Sequence, residues 1–536
     1  MDIEEKNTNS ATLSEIAQGI EPRDVNLEQV PPKQLYSAIA ALNALVFIGA
    51  LDGTIINSIY VEIGSKFDAL DRAIWVVTTY LLASTSAMAI AGRTSDIIGR
   101  METTCIGIVV FFVGSILCAV SQSMNMLLAS RTIQGIGGGV VQSLSTVILG
   151  DLVSERERGK YASIFSATWA IASAIGPVMG GGIVEHASWR IVFWINIPIC
   201  VVCFMLVTWA IKLPTPHGTF SEKIRRVDFI GNALFLAGTI PVLLALSWGG
   251  QEYKWTSATV LACLVGGSIV LGAFVVFEAL FATLPTIPVR LFTHRNVFGA
   301  SFAATAHGAV MFSVILAVPI WEMAIKHASP INASLHVLPY MAGTIVFAPV
   351  TGIYLSKIGW VRPVVRVGSV LAAAGACLLL LLNWKSSMGQ RVGFIFTCGC
   401  GGGFLIQSLI LVAQASVAGK DMAVVASSIT FLRSFGGVLS SSLGNSIMNS
   451  QIRSKIGMVF ALYPDSAQIV ADSLHDQALM FSSEMPVDVR DRLIRIWSES
   501  IHSSFFPLIA YSAILVSSCF IIKHVELMQE RKKTIS

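Results

Sequence analysis

Two side chains invite a chemical reading first: Asp52 and Arg131, opposite charges each embedded in a long apolar run. A charge at mid-bilayer depth costs at least ~2.5–3.5 kcal/mol, so each calls for a function or a partner. Asp52 lies sixteen residues beyond Tyr36, where its run begins, which is ~24 Å along a helix axis. Arg131 falls five residues into a run descending from the other side, so ~22 Å above the same face. Matched depth lets a carboxylate and a guanidinium face one water-filled cavity, where the carboxylate can take up and release a proton. The alternative has Arg131 snorkelling to the headgroups while Asp52 caps a helix broken at Gly53. Arg433, ~16 Å into a later run, is a third candidate, with a purely structural role equally open. Glu278 and Glu322 fall near run ends and are expected at the interface, and His307 is expected to pack.

Other chemistries find no residues to support them. There is no GxxxxGK[ST] phosphate loop, so ATP is not expected as a partner. The glycines from Gly135 to Gly139 fail GxGxxG and lie in an apolar run, where they permit close helix packing. Nine histidines are dispersed, and nine cysteines all fall in apolar segments, so neither a metal site nor a disulfide framework is expected. Cys200 and Cys203 form a CxxC that reads as packing. With no nucleophile, carboxylate pair or cofactor motif in view, an enzyme is not expected. The balance of 36 basic against 32 acidic residues is too even to suggest nucleic acid.

The elements that must position these groups are transmembrane helices. Of the 536 residues 54% are hydrophobic and 13% charged, about half the charge of a soluble protein. Runs long enough to cross ~30 Å of hydrocarbon occur near 36–60, 74–92, 103–120, 126–150, 160–183, 190–211, 228–247, 258–281, 298–324, 332–355, 363–383, 392–415, 422–446 and 504–522. These fourteen spans predict an all-α polytopic membrane protein. An even number puts both chain ends on one face. Short connections on that face hold fifteen Lys/Arg and those opposite seven, so both termini are expected in the cytoplasm. Arg531, Lys532 and Lys533 agree; the acidic tail 1–35 does not, but acidic residues weigh little. That tail lacks a secretory-signal pattern, so the first span is expected to act as its own insertion signal. A long distal connection, 447–503, contains Val487 to Ser500, which reads as an amphipathic helix lying on the membrane, capping the mouth, or simply exposed. Asn332-Ala333-Ser334 is a glycosylation sequon close to span 10.

In chain order, six stretches resemble the major facilitator superfamily, within it the fourteen-span drug:proton antiporter branch common in fungi. Leu51-Asp52-Gly53-Thr54-Ile55-Ile56-Asn57 is similar to that branch's LDxTIVN, and Trp75 to Leu82 resembles its second span. Gly92-Arg93-Thr94-Ser95-Asp96-Ile97-Ile98-Gly99-Arg100 is similar to GxxxDRxGR, and Arg131 to Gly139 to RxxQGxGGG. Gly176-Pro177-Val178-Met179-Gly180-Gly181 is similar to the antiporter motif GPxxGG, followed by Trp189-Arg190 and Asn196-Ile197-Pro198. Phe431 to Gly437 carries a further likeness in the second half. Departures are Ile97 where the family has Arg, Met101 in place of a second basic residue, Ala172 for Gly, and Ile59-Tyr60-Val61 for ALP. They imply fewer charge partners for Asp96 and a different end to span 1.

The resemblance implies two six-helix bundles (36–211 and 298–522) joined by a linker with two extra spans (212–297), flanked by tails 1–35 and 523–536. It implies proton-coupled export of hydrophobic or amphipathic toxins, drugs or secondary metabolites by alternating access, in the plasma membrane or else a vacuolar or vesicle membrane. Asp52 would bind the proton and Arg131 would tune it. Gly92, Arg93, Asp96, Gly99 and Arg100 would form an inner-loop gate, and the helix of Gly176, Pro177, Gly180 and Gly181 would pack closely at the bundle interface. Asn57, Trp75, Tyr80, Gln134 and Arg433 are the candidates for the cavity wall. Partners are then a small-molecule substrate, protons and the bilayer, with a monomer expected. The competing readings are an uptake carrier, such as a siderophore–iron/proton transporter of the same fold, and a receptor that kept the fold without transport.

Overall fold

The computed structural model describes residues 32–527, except 70–71, 212, 214–218, 251, 283, 329, 384, 474–479, 481–484 and 526. The acidic residues of the N-terminal tail and Arg531, Lys532 and Lys533 lie outside the described residues.

Lipid offers no hydrogen bonds, so the backbone must satisfy itself within each segment. Among the described residues, fourteen helical segments long and apolar enough to span a membrane result, the last of them running from Val487 to Ile521. In chain order they are α1 Pro32–Ile55, α2 Trp75–Ile98, α3 Arg100–Ala119, α4 Met124–Leu152, α5 Glu155–His186, α6 Ile191–Ala210 and α7 Phe229–Trp248. Then follow α8 Ala258–Leu280, α9 Arg295–Lys326, α10 Leu338–Ile358, α11 Val361–Leu379, α12 Met388–Ala415, α13 Met422–Leu462 and α14 Pro507–Ile521. Side-chain caps start several of them: Ser123 accepts from Met126 N, Asp228 from Gly231 N, and Ser387 with Gln390 closes a capping box. The turn from α2 into α3 is a single residue, Gly99, whose φ of 132° is open to glycine alone.

The first six helices form one bundle and the last six another. In the first, α1 packs on α5, α4 on α2 and α3, and α3 on α6; in the second, α9 packs on α13 and α14, and α12 on α10 and α11. The bundles meet along α5 with α10 and α2 with α13. The α7–α8 pair packs on itself and reaches the rest through α7, which touches α2 and α13. Only 17% of the apolar window of α8 is buried against 83% for α12, so α8 lies at the periphery and α12 in the middle.

One alternative and one expectation about span ends change. The first helix is not broken at Gly53: it stays α-helical to Ile55, tightens into a 3-10 turn at Ile56–Ser58 and resumes as Tyr60–Lys66. The connection after span 13 is shorter, because α13 continues to Leu462. The amphipathic helix is Val487–Ser504, and it buries Val489, Leu493, Ile496, Trp497 and Ile501 against α13 and α9. Its apolar face is thus spent on the second bundle.

Candidate functional site

Three helices bring a carboxylate, a guanidinium and two amides together. Asp52 of α1 is 0% exposed and Arg131 of α4 1%, and Arg131 Nη1 lies 2.8 Å from Asp52 Oδ2. The other carboxylate oxygen accepts from Gln134 Nε2 at 2.9 Å and from Asn196 Nδ2 of α6 at 2.7 Å. Arg131 also donates to Gln134 Oε1 at 2.6 Å and from Nε to the Val76 carbonyl at 3.0 Å, and its guanidinium lies 4.3 Å from the Tyr80 ring centroid. Gln134 reaches on to Ser115 Oγ at 2.9 Å. The snorkelling alternative for Arg131 is thereby set aside, since its charge is turned inward onto a partner.

Beside this cluster the two bundles enclose a cavity on the half of the molecule distal to the chain ends. It has a deep chamber of about 190 Å³ and an outer one of about 280 Å³ that share Thr54, Asn57, Val77, Leu81, Ile315 and Leu316. Arg131, Tyr80 and Arg433 line the deep chamber, Trp75 and Pro177 the outer one, and Asn57 both. Asp52 and Gln134 line neither: both are fully buried behind Arg131. Gln134 was expected in the cavity wall, but its amide is used up bracing the carboxylate. Asn196 and Ser115 complete the cluster and were not among the sequence candidates; only the Asn-Ile-Pro stretch at Asn196 had hinted at the first. Glu252, in the α7–α8 connection, accepts from the Trp75 indole and is the one carboxylate among the described residues of the outer wall.

On the proximal side the bundles touch. A Cβ at Gly92 of α2 would collide with Ser427 Oγ of α13 and come within 2.8 Å of the Ala423 carbonyl, and one at Gly159 of α5 would come within 3.0 Å of Leu355 Cβ of α10. Just beyond, Arg100 (5% exposed) joins Asp96 at 2.7 Å and Asp151 of α4 at 2.7 Å and donates to Ser95. Arg93 lies 3.9 Å from Asp96 and donates to the Pro285 carbonyl at 2.8 Å. Fewer charge partners were expected for Asp96 because Ile97 stands where the family has Arg; the partners it has are Arg100, one turn on, and the more distant Arg93.

The glycines of α5 also sit elsewhere than expected. Added Cβ atoms at Gly176 and Gly180 would strike Thr54 and Ser58 of α1, so these residues close the α1–α5 contact inside one bundle and not the bundle interface. Gly181 is half-buried. Glu322, four residues before the end of α9, is buried at 1% and paired with Arg391, and Glu278, two residues before the end of α8, is 4% exposed and accepts from Thr286 N. His307 is buried at 1%, and Cys200 and Cys203 are free, buried thiols. Asn332 is exposed on the short helix Pro330–Leu335. No group of three potential metal ligands occurs among the described residues.

Two helix bundles around a central cavity, with polar groups buried beside it, define a polytopic membrane protein of the carrier type. The family model described as Major Facilitator Superfamily matches residues 42–441, and the chain belongs to that family. It is 32% identical over 514 residues to the MFS-type efflux pump LUC4 of a Fusarium species, covering 94% of this chain and 90% of that one. It is 30% identical over 494 residues to the efflux pump FUS6 of Gibberella fujikuroi, covering 91% and 89%. Among solved structures, the human organic anion transporter MFSD10 superposes with a TM-score of 0.59 over 92% of this chain and all of that one, at 12% identity. At that identity the likeness concerns the fold alone.

Proposed function

We propose that the protein exports small hydrophobic or amphipathic organic molecules by alternating access, using protons that enter as the substrate leaves. The carrying observation is the cavity whose wall is Arg131 with Asp52 directly behind it. A proton and the Arg131 guanidinium compete for the same carboxylate. Protonation of Asp52 weakens its hold on Arg131, and the released guanidinium is already in the chamber wall, where it can meet or repel a substrate. Gly92, Arg93, Asp96, Gly99 and Arg100 form the gate on the proximal side, which is read as cytoplasmic, in the plasma membrane. Efflux is supported by relatives named efflux pumps at about this length. One proton falling through ~100 mV and one pH unit supplies ~3.7 kcal/mol, enough for a gradient of a few hundred for a neutral solute.

The test is a panel of toxins and drugs on cells lacking or overexpressing the protein, with Asp52→Asn in parallel. Export predicts lower accumulation in the overexpressor and loss of gradient-driven movement in Asp52→Asn. Higher accumulation in the overexpressor would reverse the direction to uptake, and wild-type rates in Asp52→Asn would end the proton assignment.

A further inference from the structure

The deep chamber contains a cation whose charge the protein leaves unanswered. Arg433 enters it from α13, eleven residues after Met422, or ~16 Å from the proximal end of the helix. Three other interior guanidiniums have carboxylates: Arg131 has Asp52, Arg100 has Asp96 and Asp151, and Arg391 has Glu322. Arg433 donates Nη1 to the Ile406 carbonyl at 2.9 Å and has no ion-pair partner among the described residues. A guanidinium carries five N–H donors, so most of its hydrogen-bonding capacity is turned to the chamber. No Asp or Glu among the described residues lines that chamber.

Its surroundings supply no hidden anion either. The titratable groups packed near it are His307 of α9 and Tyr340 of α10, which approach Gly402 of α12 with Nε2 and Oη at 3.6 and 2.6 Å from an added Cβ. Both are fully buried, and neither is a carboxylate. Across the chamber Arg131 is already balanced by Asp52. An uncompensated cation at this depth is costly to keep, and a low-dielectric wall makes it a strong receptor for an anion. The rest of the chamber wall is apolar and aromatic, with Phe165, Trp169, Met311, Phe312, Ile315 and Leu316.

We propose that Arg433 is the receptor for the acidic group of the transported molecule, so that the substrates are amphipathic organic monoanions. The carboxylate, or an equally acidic enol, accepts from the free guanidinium N–H groups, bidentate where geometry allows. The apolar body lies against Trp169, Phe165 and Phe312. This rests on the transport reading of the same cavity and names its substrate class.

The experiment uses the full chain in lipid nanodiscs without any gradient, and two fluorescent probes that differ in one group: pyrenebutyrate and pyrenebutanol. Wild type is expected to bind the acid ~10- to 100-fold more tightly than the alcohol, the size of a charged hydrogen-bonded contact. Arg433→Gln should erase that preference by weakening the acid and leaving the alcohol unchanged, while Arg433→Lys keeps part of it. Equal binding of the two probes by wild type, binding of neither, or a preference that survives in Arg433→Gln overturns the proposal. If Arg433→Gln does not fold, the wild-type comparison and Arg433→Lys decide between the same outcomes. Since binding is read at equilibrium, direction and proton coupling do not enter. A charge preference together with no export from cells would fault the functional reading alone.

Discussion

Replacing Arg131 with Gln removes the only countercharge, among the described residues, of a carboxylate that is 0% exposed. Asp52 would keep two neutral donors, Gln134 at 2.9 Å and Asn196 at 2.7 Å. Breaking a buried pair from one side costs ~3–5 kcal/mol, because a lone charge stays behind. The opposite change, Asp52→Asn, is milder: Arg131 retains Gln134 Oε1, the Val76 carbonyl and the Tyr80 ring and faces the chamber, so ~1–3 kcal/mol is expected. The double variant holds only neutral groups and should lose less than the sum of the singles by ~2–3 kcal/mol. At ~2–4 °C per kcal/mol for a unit of six-helix-bundle size, the discrepancy amounts to ~5–10 °C in melting temperature. The assay is thermal unfolding of the four proteins in one detergent, read by tryptophan emission. Losses that add within ~0.5 kcal/mol would mean that the two side chains do not depend on one another, and the cluster would have to be abandoned as a unit.

Three further outcomes follow from packing and charge. Gly176→Val drives a side chain into Thr54 of α1 and to within 3.0 Å of Ile55 N, whereas Gly182 has nothing within 4 Å; the first should cost ~1–3 kcal/mol and Gly182→Ala less than ~0.5 kcal/mol, and equal melting shifts would refute the α1–α5 contact. Gly92→Val must part α2 from α13 at Ser427, a residue with 0% exposure. A cysteine placed at Ser427 should then react faster with a membrane-impermeant maleimide applied from the proximal side, and an unchanged rate would deny the gate. Arg100→Gln leaves Asp96 and Asp151, about a fifth exposed, facing each other without their bridge; solvent screening limits the loss to ~1–2 kcal/mol, and it should shrink in high salt if electrostatics is the cause.

How much of this was legible without coordinates follows from what a membrane penalises. Apolar runs are forced on any chain that must satisfy its backbone in lipid, so fourteen spans were visible, and charges inside them were conspicuous because each one is expensive. Neutral amides and hydroxyls are cheaper there, which is why Asn196 and Ser115 passed unremarked while Asp52 and Arg131 did not. A missed signal lies in the glycines: Gly-x-Gly-Gly-Gly at 135–139 recurs at 399–403. Gly135 of α4 meets the Tyr80 carbonyl and Gly138 the Tyr80 hydroxyl; Gly399 of α12 meets the Tyr340 carbonyl and Gly402 the Tyr340 hydroxyl. The two halves thus share one packing frame, α2 on α4 and α10 on α12. In that frame Gln134 corresponds to Cys398 and Arg131 to Ile395, both buried. The second half has kept the glycines that let its helices approach and has no ion pair at these two positions. Its one cation in the chamber, Arg433, comes from another helix and has no carboxylate behind it. Identical packing with unequal charge separates two roles that a symmetric frame would merge: the pair in the first half is closed upon itself and can change only by taking a proton, whereas the cation in the second half can be answered only by something that enters the cavity.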